Sequence, residues 1–180
     1  MQKILIIGPC GAGKTTLAKE IAAFLHLELI HLDAYYWKPG WVESTKEEWH
    51  QTVNTLIQQD TWVMDGNYQG TLPQRLQAAD AVIFLDLSRW RCLWRVMKRL
   101  MRYGGRTRPD MAHGCPERLN WEFLRYVWNF PERHRPILVE LLDQVPDEKS
   151  LIVLRSPHAV TEFLNQLQKE RDRSYALTKS

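Results

Sequence analysis

The sequence predicts an α/β fold in three layers, a parallel sheet between helices, and three observations carry that prediction. Five short, continuously apolar runs are spread over 180 residues, longer segments of helical periodicity separate them, and the first run ends in the glycine-rich "GPCGAGKT". Continuous rather than alternating apolar runs mean burial on both faces, as in a parallel sheet covered by helices.

The first strand is "ILII" (Ile4 to Ile7), and Gly8-Pro9-Cys10-Gly11-Ala12-Gly13-Lys14-Thr15-Thr16 comes directly after it. This matches G-x-x-x-x-G-K-[ST] at every fixed position, between a strand and a helix, which is the context a phosphate-binding loop (P-loop) requires. Glycines let the backbone wrap a phosphate, while successive N–H groups and the helix N-terminus turn positive dipole toward it. Residues 8–16 are therefore expected to hold ATP, with Lys14 on the β- and γ-phosphates and the Thr15 hydroxyl on Mg²⁺. Cys10 reads as a tolerated small residue, not a nucleophile.

The second strand, "ELIHL" (Glu28 to Leu32), runs into Asp33. Tyr35, Tyr36, Trp37 and Trp41 come next; core packing is the preferred reading, with stacking on a base as the alternative. In "STKEEWHQTVNTLIQQ", Ser44 and Glu47 fit a capping box and Trp49, Val53, Leu56 and Ile57 form one apolar face, so a helix is expected.

The third strand, "WVM" (Trp62 to Met64), meets Asp65-Gly66. An apolar strand running into Asp-Gly is the usual second motif of a nucleotide site, so Asp65 is the expected Mg²⁺ carboxylate, with a plain turn residue as the alternative. Asp33 stands at the same sheet edge, orienting or deprotonating an acceptor hydroxyl, helping to hold the metal, or serving as an N-cap for the next segment. The fourth strand, "AVIFLDL" (Ala81 to Leu87), contains Asp86, read as finishing the strand and capping the next segment.

From Arg89 to Arg108 the chain carries Arg89, Arg91, Arg95, Lys98, Arg99, Arg102, Arg106 and Arg108 without one acidic residue, so an anion is expected there. On a helical projection Trp90, Leu93, Trp94, Met97, Leu100 and Met101 share an arc of roughly 120° and are expected to face the core, leaving Arg91, Arg95, Lys98, Arg99 and Arg102 on another face. Helix breaks are expected at "YGGRTRPD", Pro131 and Pro136, and Trp121, Leu124 and Trp128 are spaced as a core-facing row. His113 and Cys115 have no second ligand pair in reach, so no zinc site is proposed. The fifth strand is "LIVL" (Leu151 to Leu154), after which Ser156-Pro157 reads as N-cap and first helical residue; residues 171–180 are expected to be a frayed tail.

Composition narrows the class. A hydrophobic fraction of 44% and a charged fraction of 25% are ordinary for a globular domain, and no apolar run approaches the length of a bilayer span. Three scattered cysteines and no secretory leader point to the cytoplasm. The oligomeric state is not legible.

These residues resemble the adenylate kinase-like (nucleoside monophosphate kinase) superfamily over most of the chain: the P-loop, the helical segment after the second strand, "VMDGNY", and the arginine-rich segment after "FLDLS". More closely, "HLDAYYWKPGW", "DGNY", "GRTRPDM", "GCPERLNWEFLRYVWNFPERHRP" and "VLRSP" resemble the bacterial topology modulation (FlaR-type) proteins. The superfamily implies a five-stranded parallel sheet in the order 2-3-1-4-5. It also implies one domain over residues 1–170, an acceptor-binding helical insertion near 34–60, and a helical lid near 100–135. Phosphoryl transfer from ATP with Mg²⁺ to a small-molecule acceptor is the activity implied. By position, its two arginines four apart fall on Arg95 and Arg99, and Arg106 and Arg108 fall in the lid. Arg155 falls beside the adenine loop. The superfamily's Asp-Gly-Phe-Pro-Arg is here Asp65-Gly66-Asn67-Tyr68-Gln69, which removes the arginine for an acceptor phosphate and leaves Arg75 as the candidate replacement.

The leading expectation is an ATP-dependent kinase using Lys14, Arg95, Arg99 and Asp33. The alternative is a nucleic-acid-binding P-loop ATPase affecting DNA topology. A basic amphipathic helix on a membrane surface ranks last, because its tryptophans are better used in a core.

Overall fold

The computed structural model describes the backbone of residues 1–177 and the side chains through residue 170. The tail expected over residues 171–180 lies outside the described side chains, and residues 178–180 lie outside the described backbone altogether.

Strand β1 (Lys3–Ile7) opens the fold and is wholly buried from Ile4 onward. Helix α1 (Lys14–Leu25) and strand β2 (Leu29–His31) come after it. The insertion comprises helix α2 (Leu32–Tyr36), the two-residue strands β3 (Trp37–Lys38) and β4 (Val42–Glu43), and helix α3 (Lys46–Ile57). Strand β5 (Trp62–Asp65), a 3₁₀ turn at Gln69–Thr71, helix α4 (Leu72–Ala78) and strand β6 (Ala81–Leu85) come next. Helices α5 (Arg89–Tyr103), α6 (Trp121–Arg133) and α7 (Arg135–Leu142), strand β7 (Ser150–Leu154) and helix α8 (Pro157–Leu177) complete it.

The main sheet runs β2-β5-β1-β6-β7 with every pairing parallel. Because β3 and β4 form their own antiparallel hairpin, this is the expected order 2-3-1-4-5 of the five long apolar runs. Side chains alternate across β1, so it feeds two cores. Ile4 and Ile6 pack with Leu17 and Ile21 of α1, Val96 of α5 and Leu167 of α8. Leu5 and Ile7 pack on the opposite face with Val53 of α3, Leu72 of α4 and Leu138 of α7. The start of β1 is tied down by Asp80, whose carboxylate accepts from the backbone N–H of Gln2 at 2.8 Å and of Lys3 at 2.9 Å.

Several local expectations are corrected. The cap of α3 is Thr45, not Ser44: its hydroxyl accepts from Glu48 N at 3.2 Å and the Glu48 carboxylate returns to Thr45 N at 2.9 Å. Ser44 instead donates to Tyr36 O at 2.7 Å, closing the hairpin. Strand β2 stops at His31, so Asp33 lies in the first turn of α2 and His31, with no side-chain cap bond, is the N-cap. Pro131 does not end a helix; it sits two residues inside the end of α6, where losing one N–H is tolerated, and the chain breaks at His134. Pro136 occupies the first turn of α7, where its missing N–H has no partner to lose. Residues 104–120, expected in a helical lid, form a loop closed by the bridges Gly104↔Glu117 and Thr107↔Pro116.

The largest correction concerns α5. It buries Cys92 and Val96, and turns Arg95 and Arg99 in alongside them, while Trp90, Trp94, Met97 and Met101 are exposed. On α6 the buried residues are Val127 and Phe130, and Trp121 and Trp128 are exposed. Leu93 and Leu124 do pack on the core as expected, but the tryptophans and methionines of both rows face the opposite way from the sequence expectation. The reason is local: α5 lies against the P-loop, with Cys92 beside Gly11, so its inward face must carry what that loop accepts.

Candidate active site

The site forms where β1, β2 and β5 end together. Register sets Asp65 level with Ile6 on β1 and with His31 on β2, directly below the turn into the P-loop. Gly8 (φ 141°), Gly11 (φ 84°) and Gly13 (φ 101°) take left-handed or extended-positive conformations that a side chain rarely adopts. Space demands glycine as well: a Cβ on Gly8 would meet Leu85 O at 2.4 Å, and one on Gly11 would meet Cys92 O at 2.3 Å.

Lys14 begins α1 and folds back over the loop, its ammonium donating to the carbonyls of Gly8 at 2.8 Å and Pro9 at 3.1 Å. The Thr15 hydroxyl donates to Asp65 Oδ2 at 2.9 Å. His31 Nδ1 meets the other oxygen, Oδ1, at 2.8 Å, so one carboxylate is shared between a hydroxyl and an imidazole. Thr16 lies exposed in the first turn of α1. Cys10 is partly buried, and burial pushes its thiol up despite the nearby Lys14, which keeps it protonated and unsuited to nucleophilic work.

A second group of residues holds the loop after β5. Arg75, inside α4 and completely buried, donates to the backbone carbonyls of Gly66 at 3.0 Å, Asn67, and Tyr68 at 2.9 Å. Burial lowers its pKa to about 9, so it remains a cation near neutral pH. Arg75 is thus committed to the backbone, and the expectation that it replaces an acceptor-phosphate arginine is overturned. The loop it fixes places Asn67 Oδ1 on Gly8 N at 3.0 Å, and the Tyr68 hydroxyl on Asp33 Oδ1 at 2.6 Å. Burial, with the Asp33 charge second, drives the Tyr68 hydroxyl far above the usual phenol range, so Tyr68 is the donor and Asp33 the acceptor.

Arginines approach from the other side. Arg95 donates to Ala12 O at 2.7 Å and lies against Gly13. Arg99 meets Glu117 Oε1 at 3.0 Å and sits 5.6 Å over the Phe123 ring. Arg108 reaches the same Glu117 oxygen at 2.5 Å and Asp110 at 2.5 Å. Burial, then repulsion from Arg108, lowers the pKa of Arg99 against the pull of Glu117. Arg106, expected to act with Arg108, is exposed.

Two expectations fall outside this group. Asp86 is not a cap, since Ser88 precedes α5; its carboxylate takes a two-pronged contact from Arg135 at 2.8 and 2.7 Å. Arg155 is exposed and lies 3.7 Å from Asp86. Ser156 does cap α8, accepting from Ala159 N at 3.1 Å.

Of the aromatic cluster, Tyr36 packs on the core as preferred, meeting Trp49 at 5.1 Å and Tyr68 at 4.6 Å, Trp37 is half-buried against Tyr36 and Trp41, and Tyr35 is exposed. Trp41, at φ 65°, instead reaches across to the loop of residues 104–120, donating from Nε1 to Pro116 O at 2.9 Å. Gly40 N donates to Gly114 O at 2.9 Å, and the Cys115 thiol to Lys38 O at 3.3 Å. The hairpin and the loop of residues 104–120 are thereby clasped together. His31, Asn67, Tyr68 and Glu117 were missed as site residues. The Asp65 register could have found His31; nothing in spacing marks Glu117.

A profile of the ATPase family associated with various cellular activities (AAA) matches residues 4–86, from β1 through the end of β6. Among curated proteins no match is found. Solved structures are similar along nearly the whole chain. A shikimate kinase from Acinetobacter baumannii, in complex with shikimate, superposes with TM-score 0.59 at 16% identity, over 97% of this chain and 94% of that one. A gluconokinase from Sinorhizobium meliloti 1021 gives 0.52 at 17%, over 98% and 97%, and a shikimate kinase from Bacteroides thetaiotaomicron 0.55 at 16%, over 94% and 97%. At such identities the likeness speaks for architecture, and the chain has the five-stranded α/β P-loop kinase fold.

Proposed function

We propose that the chain is an ATP-dependent phosphotransferase that moves the γ-phosphate of ATP to a hydroxyl of a small acceptor. The observation that carries this reading is the 2.9 Å bond from Thr15 to Asp65 beside Lys14 in a complete P-loop. The residues fit Mg²⁺: one hydroxyl and one carboxylate, both hard oxygens, leave the other positions to phosphate oxygens and water. When bound, the ion neutralises charge on the β- and γ-phosphates. The loop from Gly8 to Thr16 cradles the phosphates, with the backbone N–H groups from Gly11 to Thr16 toward them, and Lys14 neutralises them. Arg95, already on the loop, supplies a fixed guanidinium, and Arg99 supplies a second once phosphate competes with Glu117 for it; both stabilise charge that builds during transfer. Asp33, held by Tyr68, orients the acceptor hydroxyl and takes its proton. Arg155, with Ser156-Pro157, borders the adenine side.

Residues 1–170 act as one domain, with 34–60 gripping the acceptor and 100–135 closing over it, in a cytoplasmic setting where ATP is supplied. The finer resemblance to FlaR-type topology modulation proteins is supported by where its motifs meet: "HLDAYYWKPGW", "DGNY" and "GCPERLN" are joined through Tyr68–Asp33, Gly40–Gly114 and Trp41–Pro116. No observation favours the nucleic-acid-binding ATPase, because Arg95, Arg99 and Arg108 turn inward to the P-loop and Glu117.

The test is ADP release from ATP and Mg²⁺ across nucleoside monophosphates, nucleosides and small hydroxylated metabolites, the last prompted by the shikimate and gluconate neighbours. At least one acceptor should stimulate release, and Lys14→Ala should lower it by about a hundredfold or more with the fold intact. Equal release by the Lys14→Ala protein would sink the assignment.

A further inference from the structure

We infer that the outer face of α5 and α6 is a docking surface for the anionic surface of a lipid bilayer. At 100° per residue, Trp90, Trp94, Met97 and Met101 fall within an arc of about 60°, opposite the buried Cys92 and Val96. They are 69%, 64%, 38% and 71% exposed. Helix α6 packs beside α5 and continues the face: Trp90 and Trp128 meet edge to face at 4.8 Å, and Trp121, one heptad before Trp128, is 75% exposed. Half of the eight tryptophans thus stand outside the core on one two-helix face. The reason for ranking a membrane reading last, that these rings are better used in a core, does not hold.

Charge selects the occupant. Arg91, Lys98 and Arg102 line one border of the stripe, Arg125 lies between Trp121 and Trp128 on α6, and all four are exposed. None of them makes an ion pair among the described residues, whereas Glu132 on the same face is already paired with Arg89. Glu122 is the remaining carboxylate on that part of α6. A second copy of the chain would press this basic border against itself. A single nucleic-acid strand calls for aromatic platforms spaced along a basic groove, but the C-terminal half of this stripe, Met97 and Met101, offers no ring to stack on. A bilayer sets an apolar interior beneath a continuous anionic plane, which matches a straight apolar stripe with a basic edge. The contact needs no bilayer-crossing segment, and none of the described helices is long and apolar enough to be one.

The test is co-sedimentation of the full chain with vesicles of phosphatidylcholine mixed with phosphatidylglycerol, against pure phosphatidylcholine vesicles, with tryptophan emission followed in parallel. Binding to the mixed vesicles is expected, with a blue shift and release by salt. The double variant Trp94→Ala, Met101→Ala should weaken binding about tenfold or more, and Arg91→Gln and Lys98→Gln about fivefold each, all with an unchanged unfolding midpoint. Protein that stays in the supernatant with mixed vesicles, or a double variant that sediments like the wild type, overturns the proposal. So does a concentration-dependent dimer, or binding of single-stranded DNA, that replaces vesicle binding and is lost in the double variant.

Discussion

Arg75 is a cation given over to backbone. Its guanidinium satisfies three successive carbonyls, and through them it sets Asn67 against the P-loop and Tyr68 against Asp33. Removing it leaves those carbonyls buried without donors, so Arg75→Met should lower stability by about 3 kcal/mol in urea unfolding. A variant of full stability that had lost only acceptor affinity would instead return Arg75 to an acceptor role. At this scale the sequence was legible where a motif constrains each position: Lys14, Thr15 and Asp65 stand together as their spacing suggested. It was not legible where the partner is distant in the chain. Glu117 is known to bridge Arg99 and Arg108 only once the loop of residues 104–120 is folded back on α5, and the direction of Arg75 is set by a turn that spacing does not describe.

Elements were read well where one face is buried by a sheet and poorly where two chemistries compete for it. The apolar runs placed all five strands of the main sheet because the three central ones, β5, β1 and β6, are covered on both sides, while the edge strand β7 keeps an apolar run although Leu151 is exposed. Helix α5 misled because amphipathicity gives an axis but not a sign: the P-loop draws Arg95 and Arg99 inward, and the tryptophans go out. The hairpin β3–β4 was missed because two-residue strands carry no periodicity. The α3 cap was read one residue early, since Ser44 and Thr45 both precede a glutamate at the right spacing. Thr45→Ala should therefore lower stability by about 1 kcal/mol in a denaturant titration; no change would mean that the box contributes nothing to α3.

Over the whole molecule, the sheet edge carries the P-loop, while two peripheral segments, the hairpin and the loop of residues 104–120, meet each other. Their clasp is polar and small: Trp41 Nε1 on Pro116 O, Gly40 N on Gly114 O, and the Cys115 thiol on Lys38 O. Losing the indole bond in Trp41→Phe costs about 1 kcal/mol of closure, so amide exchange at Gly40 and Glu117 should speed up about fivefold. Exchange unchanged there would show that the two segments are held by something other than this bond. The central claim, that the P-loop edge binds Mg²⁺–ATP through Lys14, Thr15 and Asp65, is met most directly by calorimetric titration of ATP with and without Mg²⁺. The wild type and Asp65→Asn would be compared at matched thermal stability. The account predicts that Mg²⁺ tightens ATP binding to the wild type and that Asp65→Asn loses that gain, about tenfold or more in affinity. Equal ATP affinity for both proteins, with and without the ion, would contradict it.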